Sequence, residues 1–101
     1  MTDRIEQTKA LASVPRMKVL EWLKEPQRHF SHQESGDPET IGVCVTLIAA
    51  KLDMSQPTVS RHLEILRRAG FVTVRRIGQW SYYTRSATGI SEYGDWINDN
   101  L

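Results

Sequence analysis

The chain has 101 residues, a 40% hydrophobic and 25% charged composition, one cysteine and a formal net charge of +1. That length holds one domain, here residues 1–101, and the composition is that of a globular protein. No apolar run is long enough to span a membrane, the acid-bearing opening MTDRIEQTKALASV is no secretory signal, and a lone Cys44 makes no internal disulfide, so a reducing cytoplasm is the expected location.

In chain order, a first helix is expected over Asp3–Ser13, with Ile5, Thr8, Leu11 and Ala12 on one side. A second is expected from Pro15 to Glu25, with Met17, Leu20, Trp22 and Leu23 apolar, and Pro26 closes it. Gln27 to Thr40 is polar and holds Gly36, Asp37 and Pro38, which reads as a long loop. Ile41–Cys44 reads as a short extended stretch, and Val45–Leu52 as a helix with Ile48 and Leu52 four apart.

Asp53 and Met54 make a tight break, and SQPTVSRHLEILRRA follows. Ser55 is a good N-cap, and Pro57 fits a first turn, where its missing N–H breaks no helical bond. Val59, Leu63 and Leu66 form a narrow apolar stripe, opposite Pro57, Ser60, Arg61, Glu64 and Arg68, and Gly70 stops the helix. A helix built only for stability would fill its exposed first turns with Ala, Glu and Lys. This one places short hydrogen-bonding groups there.

Val72 and Val74 then alternate with Thr73 and Arg75, Gly78-Gln79 can turn the chain, and Trp80–Thr84 is aromatic and β-prone. A two-stranded hairpin with arginines near its tip is expected. Trp80, Tyr82 and Tyr83 are read as packing that hairpin onto the helices. A last helix from about Gly89 carries Ile90, Tyr93, Ile97 and Leu101 on one stripe.

A short helix, a tight break and a longer helix make a helix-turn-helix, whose second helix enters the major groove of DNA with its N-terminal turns. Gln56 suits the N6/N7 edge of adenine and Arg61 the O6/N7 edge of guanine, with Ser60 beside them. Ser55, Thr58, Arg68 and the hairpin's Arg75, Arg76 and Gln79 suit phosphate or groove contacts. His62 flanks this face, where a phosphate contact and a packing or capping role are both open. From Ser55 to Ser86 there are six arginines against one acid, Glu64, while the rest of the chain is net acidic. The charge distribution thus favours a polyanion that the net charge would not suggest.

Residues 55–85, SQPTVSRHLEILRRAGFVTVRRIGQWSYYTR, resemble the winged-helix core of the ArsR family of bacterial repressors. The shared features are the Ser-Gln-Pro-Thr-Val-Ser-Arg-His-Leu opening, the Ala-Gly-Phe-Val end and the Arg-x-Gly turn. Upstream, RMKVLEWL resembles the family's second helix, and the likeness runs from about residue 10 to 86. The resemblance implies a winged helix-turn-helix in α-α-α-α-β-β-α order, mainly helical with a small β-hairpin wing. It further implies a homodimeric, cytoplasmic repressor on a palindromic operator, released by a chemical signal, with first and last helices packed across the two-fold axis. Ile5, Thr8, Leu11, Ala12, Ile90, Tyr93, Ile97 and Leu101 would form that seam.

The family's metal-sensing Cys-x-Cys falls here on Cys44 and Thr46, so one sulfur has become a hydroxyl. A soft metal wants two or three thiolates. The last helix has no His for the family's other metal site. No metal and no cofactor is therefore expected. His29 and His32 form an HxxH in a stretch read as loop, where exposed histidines are expected in place of ligands. Cys44 shows neither a resolving thiol nor a cation to activate it, and reads as a buried structural residue. A metal- or redox-responsive sensor using Cys44 or His29/His32, and a winged helix that binds protein in place of DNA, are the alternatives. No catalytic set is present, so an enzyme is not expected.

Overall fold

The computed structural model describes residues 3–101. Three helices open the chain: α1 (Arg4–Leu11), α2 (Val14–Lys24) and α3 (Pro26–Phe30). Strand β1 (Val43–Cys44) leads into α4 (Val45–Leu52) and α5 (Gln56–Arg68). Strands β2 (Val72–Ile77) and β3 (Trp80–Arg85) follow, and α6 (Ala87–Asn100) closes the described chain.

The caps explain most boundaries. The Asp3 carboxylate accepts from the backbone N–H of Ile5 at 2.8 Å and of Glu6 at 3.4 Å. Ser13 accepts from Arg16 N–H, Ser55 from Thr58 N–H, and Ser86 from Gly89 N–H, each satisfying an orphan donor of a first turn. The Ser86 cap sets the start of α6 at Ala87, two residues before the start expected at Gly89.

Two further expectations change. Pro26 does close α2, but it also opens α3, so the stretch expected as loop from Gln27 begins as a helical turn. Proline is at home at a first helical position, and the fully buried Phe30 anchors the turn. The extended stretch expected at Ile41–Cys44 becomes strand only at Val43–Cys44, and it pairs antiparallel with β3, Val43 opposite Tyr83. The wing is therefore a three-stranded sheet in the order β1-β3-β2. Gly78 takes φ +61° at the first position of the two-residue turn between Ile77 and Trp80, as a tight hairpin favours.

The fully buried residues Val19, Phe30, Val43, Ile48, Val59, Leu63, Leu66 and Phe71 join α2, α3, α4, α5 and the sheet in one core. The face that α1 buries differs from the expected stripe. Gln7 and Ala10 are buried, whereas Ile5 is 61% exposed. On α2 the buried set is Val19, Leu20 and Leu23, and Met17 faces outward. Tyr82 and Tyr83 lie in the interior as expected, but Trp80 is 47% exposed beside the wing tip.

Candidate nucleic-acid interface

The geometry of the reading face begins at Asp53. It ends α4 in the left-handed region, φ 55° and ψ 48°, and its N–H donates to the Ala50 carbonyl. Short polar side chains tolerate that conformation better than most. The sharp break lets α5 start three residues later, with Ser55 accepting from Thr58 N–H at 3.4 Å and its hydroxyl 2.8 Å from the Thr58 hydroxyl. Val59, Leu63 and Leu66 are then fully buried. The same rotation leaves Gln56, Pro57 and Arg61 exposed and Thr58 and Ser60 half-buried.

The wing stands beside this face. Gln56, Ser60 and Glu64 of α5 and Arg76, Gln79 and Trp80 of the wing line one cleft of about 440 Å³. Arg75, Arg76 and Gln79 are exposed, and Arg76 donates to the Ser81 hydroxyl at 3.1 Å, across the hairpin. Arg68 is exposed near the end of α5.

Glu64 is the one acid in this basic block. Its carboxylate accepts from Arg67 through Nε at 2.8 Å and Nη2 at 2.7 Å, and from Arg68 Nε at 3.3 Å. The fork of Arg67, with Arg68 behind it, holds the Glu64 carboxyl at about 2, well below the usual carboxylate range. The Arg67 guanidinium is held correspondingly more firmly protonated. Burial pushes the Tyr83 phenol up.

His62 turns out to be engaged within the chain: its Nδ1 lies 2.9 Å from Arg16 Nη1 of α2. Burial, and then the Arg16 and Arg61 guanidiniums, push the imidazole below its ordinary value. Arg16 and Arg67 are the functional neighbours that sequence reasoning missed. The Glu64–Arg67 spacing of three was a readable signal on a helix. The Arg16–His62 pair, 46 residues apart, left none.

A second cleft, of about 390 Å³, opens between the loop after α3, the start of α4 and the start of β3. Leu47, Trp80 and Tyr82 give it an apolar wall, with His32 and Cys44 at its edge. Cys44 is buried, and its thiol lies 3.6 Å from the Thr46 hydroxyl. Gln33 fixes the loop, accepting from Cys44 N–H at 2.9 Å and donating to the Gly36 and Gly42 carbonyls. His29 packs by the Trp22 ring and His32 by the Phe30 ring. Among the described residues, no three His, Cys, Asp or Glu side chains gather into a metal-holding set, and no helix is long and apolar enough to cross a membrane.

The residues expected at a dimer seam divide. Ile5, Ile97 and Leu101 are exposed, and Leu11 and Ile90 are half-buried. Ala12 is exposed at the end of α1. Thr8 and Tyr93 instead meet within the chain, hydroxyl to hydroxyl at 2.6 Å, and the Tyr93 ring is buried edge-on against Phe71.

The whole chain has relatives. It is 45% identical over 99 residues, 98% of its length and 99% of the other's, to the uncharacterized HTH-type transcriptional regulator YbzH of Bacillus subtilis (strain 168). It is 30% identical over 89 residues, 88% of this chain and 82% of the other, to the transcriptional repressor SdpR of the same organism. Residues 43–74, from β1 through α4 and α5 into β2, match the family model described as bacterial regulatory protein, arsR family. The chain belongs to the ArsR family. Its fold agrees with a crystal structure described as a possible transcriptional regulator for arsenical resistance, at TM-score 0.70 and 24% identity, covering 93% of this chain and 82% of that one.

As an ArsR-family protein it is a DNA-binding transcriptional regulator on a winged helix-turn-helix. The matched segment carries both the turn at Asp53 and the exposed N-terminal face of α5.

Proposed function

We propose that this regulator is a repressor that works in the cytoplasm as a homodimer on a palindromic operator. In each half-site Gln56, Ser60 and Arg61 read base edges in the major groove. Ser55, Thr58, Arg68, Arg75, Arg76 and Gln79 hold the backbone or the adjoining groove. The observation that carries the reading is the cleft shared by α5 and the wing: hydrogen-bonding side chains line one wall and Arg76 and Gln79 the other. A helix N-terminus also favours a nearby phosphate.

The dimer is supported by apolar groups left open on α2 and α6. Met17, 42% exposed, lines a hollow of about 220 Å³ with Leu11, Leu20, Phe71, Ile90 and Tyr93, and Ile97, one turn beyond Tyr93 on α6, is 38% exposed. A second copy would cover what a chain this small leaves open.

Three measurements test the proposal. Footprinting on the DNA upstream of the protein's own gene should protect two half-sites about 10 base pairs apart or a multiple of that. Affinity should fall with salt, with a log–log slope of about −0.9 for each phosphate neutralised. Sedimentation should give a dimer that Ile97→Lys weakens. Protection of one unpaired site, or a monomer at the protein concentrations that bind DNA, overturns the dimeric reading.

A further inference from the structure

We propose that Arg16 and His62 form a proton-operated latch, which holds the DNA-reading helix against the first two helices and loosens DNA binding when His62 takes up a proton. The inference rests on the reading that α5 enters the groove. Arg16 lies one turn into α2 and joins three helices. Its Nε donates to the Ala10 carbonyl at 2.6 Å and its Nη2 to the Lys9 carbonyl at 3.4 Å, both at the end of α1. Its Nη1 lies 2.9 Å from His62 Nδ1 on α5.

A guanidinium has donors only. Nδ1 is therefore the acceptor, and the neutral ring carries its proton on Nε2. A proton added at Nδ1 would aim an N–H at a cation that two carbonyls already hold in place. The charged groups acting on the ring are Arg16 from α2 and Arg61 from its own helix, both positive. From α1 the ring's neighbourhood receives the two carbonyls through Arg16, and the Lys9 ammonium sits 3.8 Å from Glu6. Burial and both guanidiniums therefore favour the neutral ring.

The folded ring binds its proton less readily than a free imidazole, so the latch is intact at and above neutral pH. It is lost as pH falls through the folded value, which lies below the free imidazole's value of about 6.5. A histidine that served DNA by touching phosphate would do the reverse, because its charged form would bind the anion better. His62 directly follows Arg61 and lies two residues from Ser60, so a shift of its turn moves the reading side chains.

The test compares wild type with His62→Asn, whose Oδ1 stands where Nδ1 does, can accept from Arg16 and does not titrate. Affinity for a labelled duplex from the protein's own upstream region is measured from pH 5.5 to 8.0 at fixed ionic strength. As pH falls through the ring's own titration midpoint, the wild type should lose affinity relative to the variant, by up to about tenfold per pH unit for each linked proton. Wild-type binding that tightens on acidification relative to the variant would place the ring on phosphate and overturn the latch. Parallel profiles would overturn it too. Nitrogen NMR of the free protein gives a readout independent of DNA and of how the variant folds. It should show Nε2 protonated and Nδ1 bare, and Arg16→Gln should raise the ring's titration midpoint; an unmoved midpoint overturns the contact. If wild type binds no duplex at any pH, the groove reading fails and the effect on DNA with it, while the ring titration still decides the contact.

Discussion

Gln7 of α1 donates through Nε2 to the carbonyl of Ala69 at 2.9 Å, joining the first helix to the C-cap of α5. Gln7 is only 3% exposed, and its oxygen accepts from Arg4 at 3.0 Å. Ala69 is the C-cap of α5, where the carbonyl has no intrahelical donor. Gln7→Leu keeps most of the volume and removes the donor. The orphaned, buried carbonyl should cost about 1–3 kcal/mol of stability. Urea denaturation should show a lower midpoint at unchanged slope, and a midpoint within error of wild type would show that water replaces the amide.

Glu64 restrains the basic face it sits in. Its carboxylate occupies Arg67 and Arg68, and on a half-exposed surface such pairs contribute little to folding. Glu64→Ala should therefore leave stability nearly unchanged while freeing two guanidiniums for phosphate. Non-specific affinity should rise, and the salt slope should steepen by about 1 for each newly contacted phosphate, so discrimination between operator and random DNA narrows. The carboxyl sits at about 2, and a depressed acid contributes its interactions above the ordinary value and loses them only as pH falls through the depressed one. The variant's effect should then be the same from pH 5 to pH 8. A salt slope equal to wild type would mean that neither arginine reaches the backbone.

Asp53 carries the turn at a cost that a substitution series can read. Its φ of 55° lies where a side chain with a branched Cβ is strained. Asp53→Val should lose about 1–2 kcal/mol. Asp53→Gly should stay within about 0.5 kcal/mol of wild type, because relief of strain is offset by the freer unfolded chain. Thermal melts of the two variants should separate by several degrees, and coincident melts would show that the turn relaxes out of the left-handed region.

What was legible in the sequence was local. Ser55, Pro57 and the Val59–Leu63–Leu66 spacing fix α5 through bonds and contacts within a few residues, and the alternation in β2 with Gly78 fixes the hairpin. What stayed hidden depends on partners far along the chain. A two-residue strand at Val43–Cys44 has no periodicity of its own and exists because Tyr82 and Tyr83 pair with it. Gln7 lies off the expected stripe of Ile5, Thr8, Leu11 and Ala12, and is buried where Ala69 offers an acceptor 62 residues away. Tyr93 shares a stripe with exposed Ile97, yet Thr8 and Phe71 draw it inward. For the exposed face of α5 and the wing, residue types and their order were legible. The partners that hold Glu64 and His62 needed coordinates, and for His62 the helical spacing contained no hint of Arg16.

The two halves of the interface should fail differently. Gln56 is exposed at the first turn of α5, where it can pair bidentately with one adenine. Gln56→Ala should cost about 1–3 kcal/mol on the operator and almost nothing on a duplex already changed at the matching base pair of each half-site. Arg75, exposed on β2 with Tyr82 opposite it across the hairpin, is assigned to the backbone. Arg75→Ala should weaken every duplex by a similar factor and reduce the salt slope by about 1 per copy of the chain. Anisotropy titrations on a panel of single-base operator variants at two salt concentrations separate the patterns. A uniform loss for Gln56→Ala, or a base-dependent loss for Arg75→Ala, would exchange the roles and place the wing, not α5, at the bases.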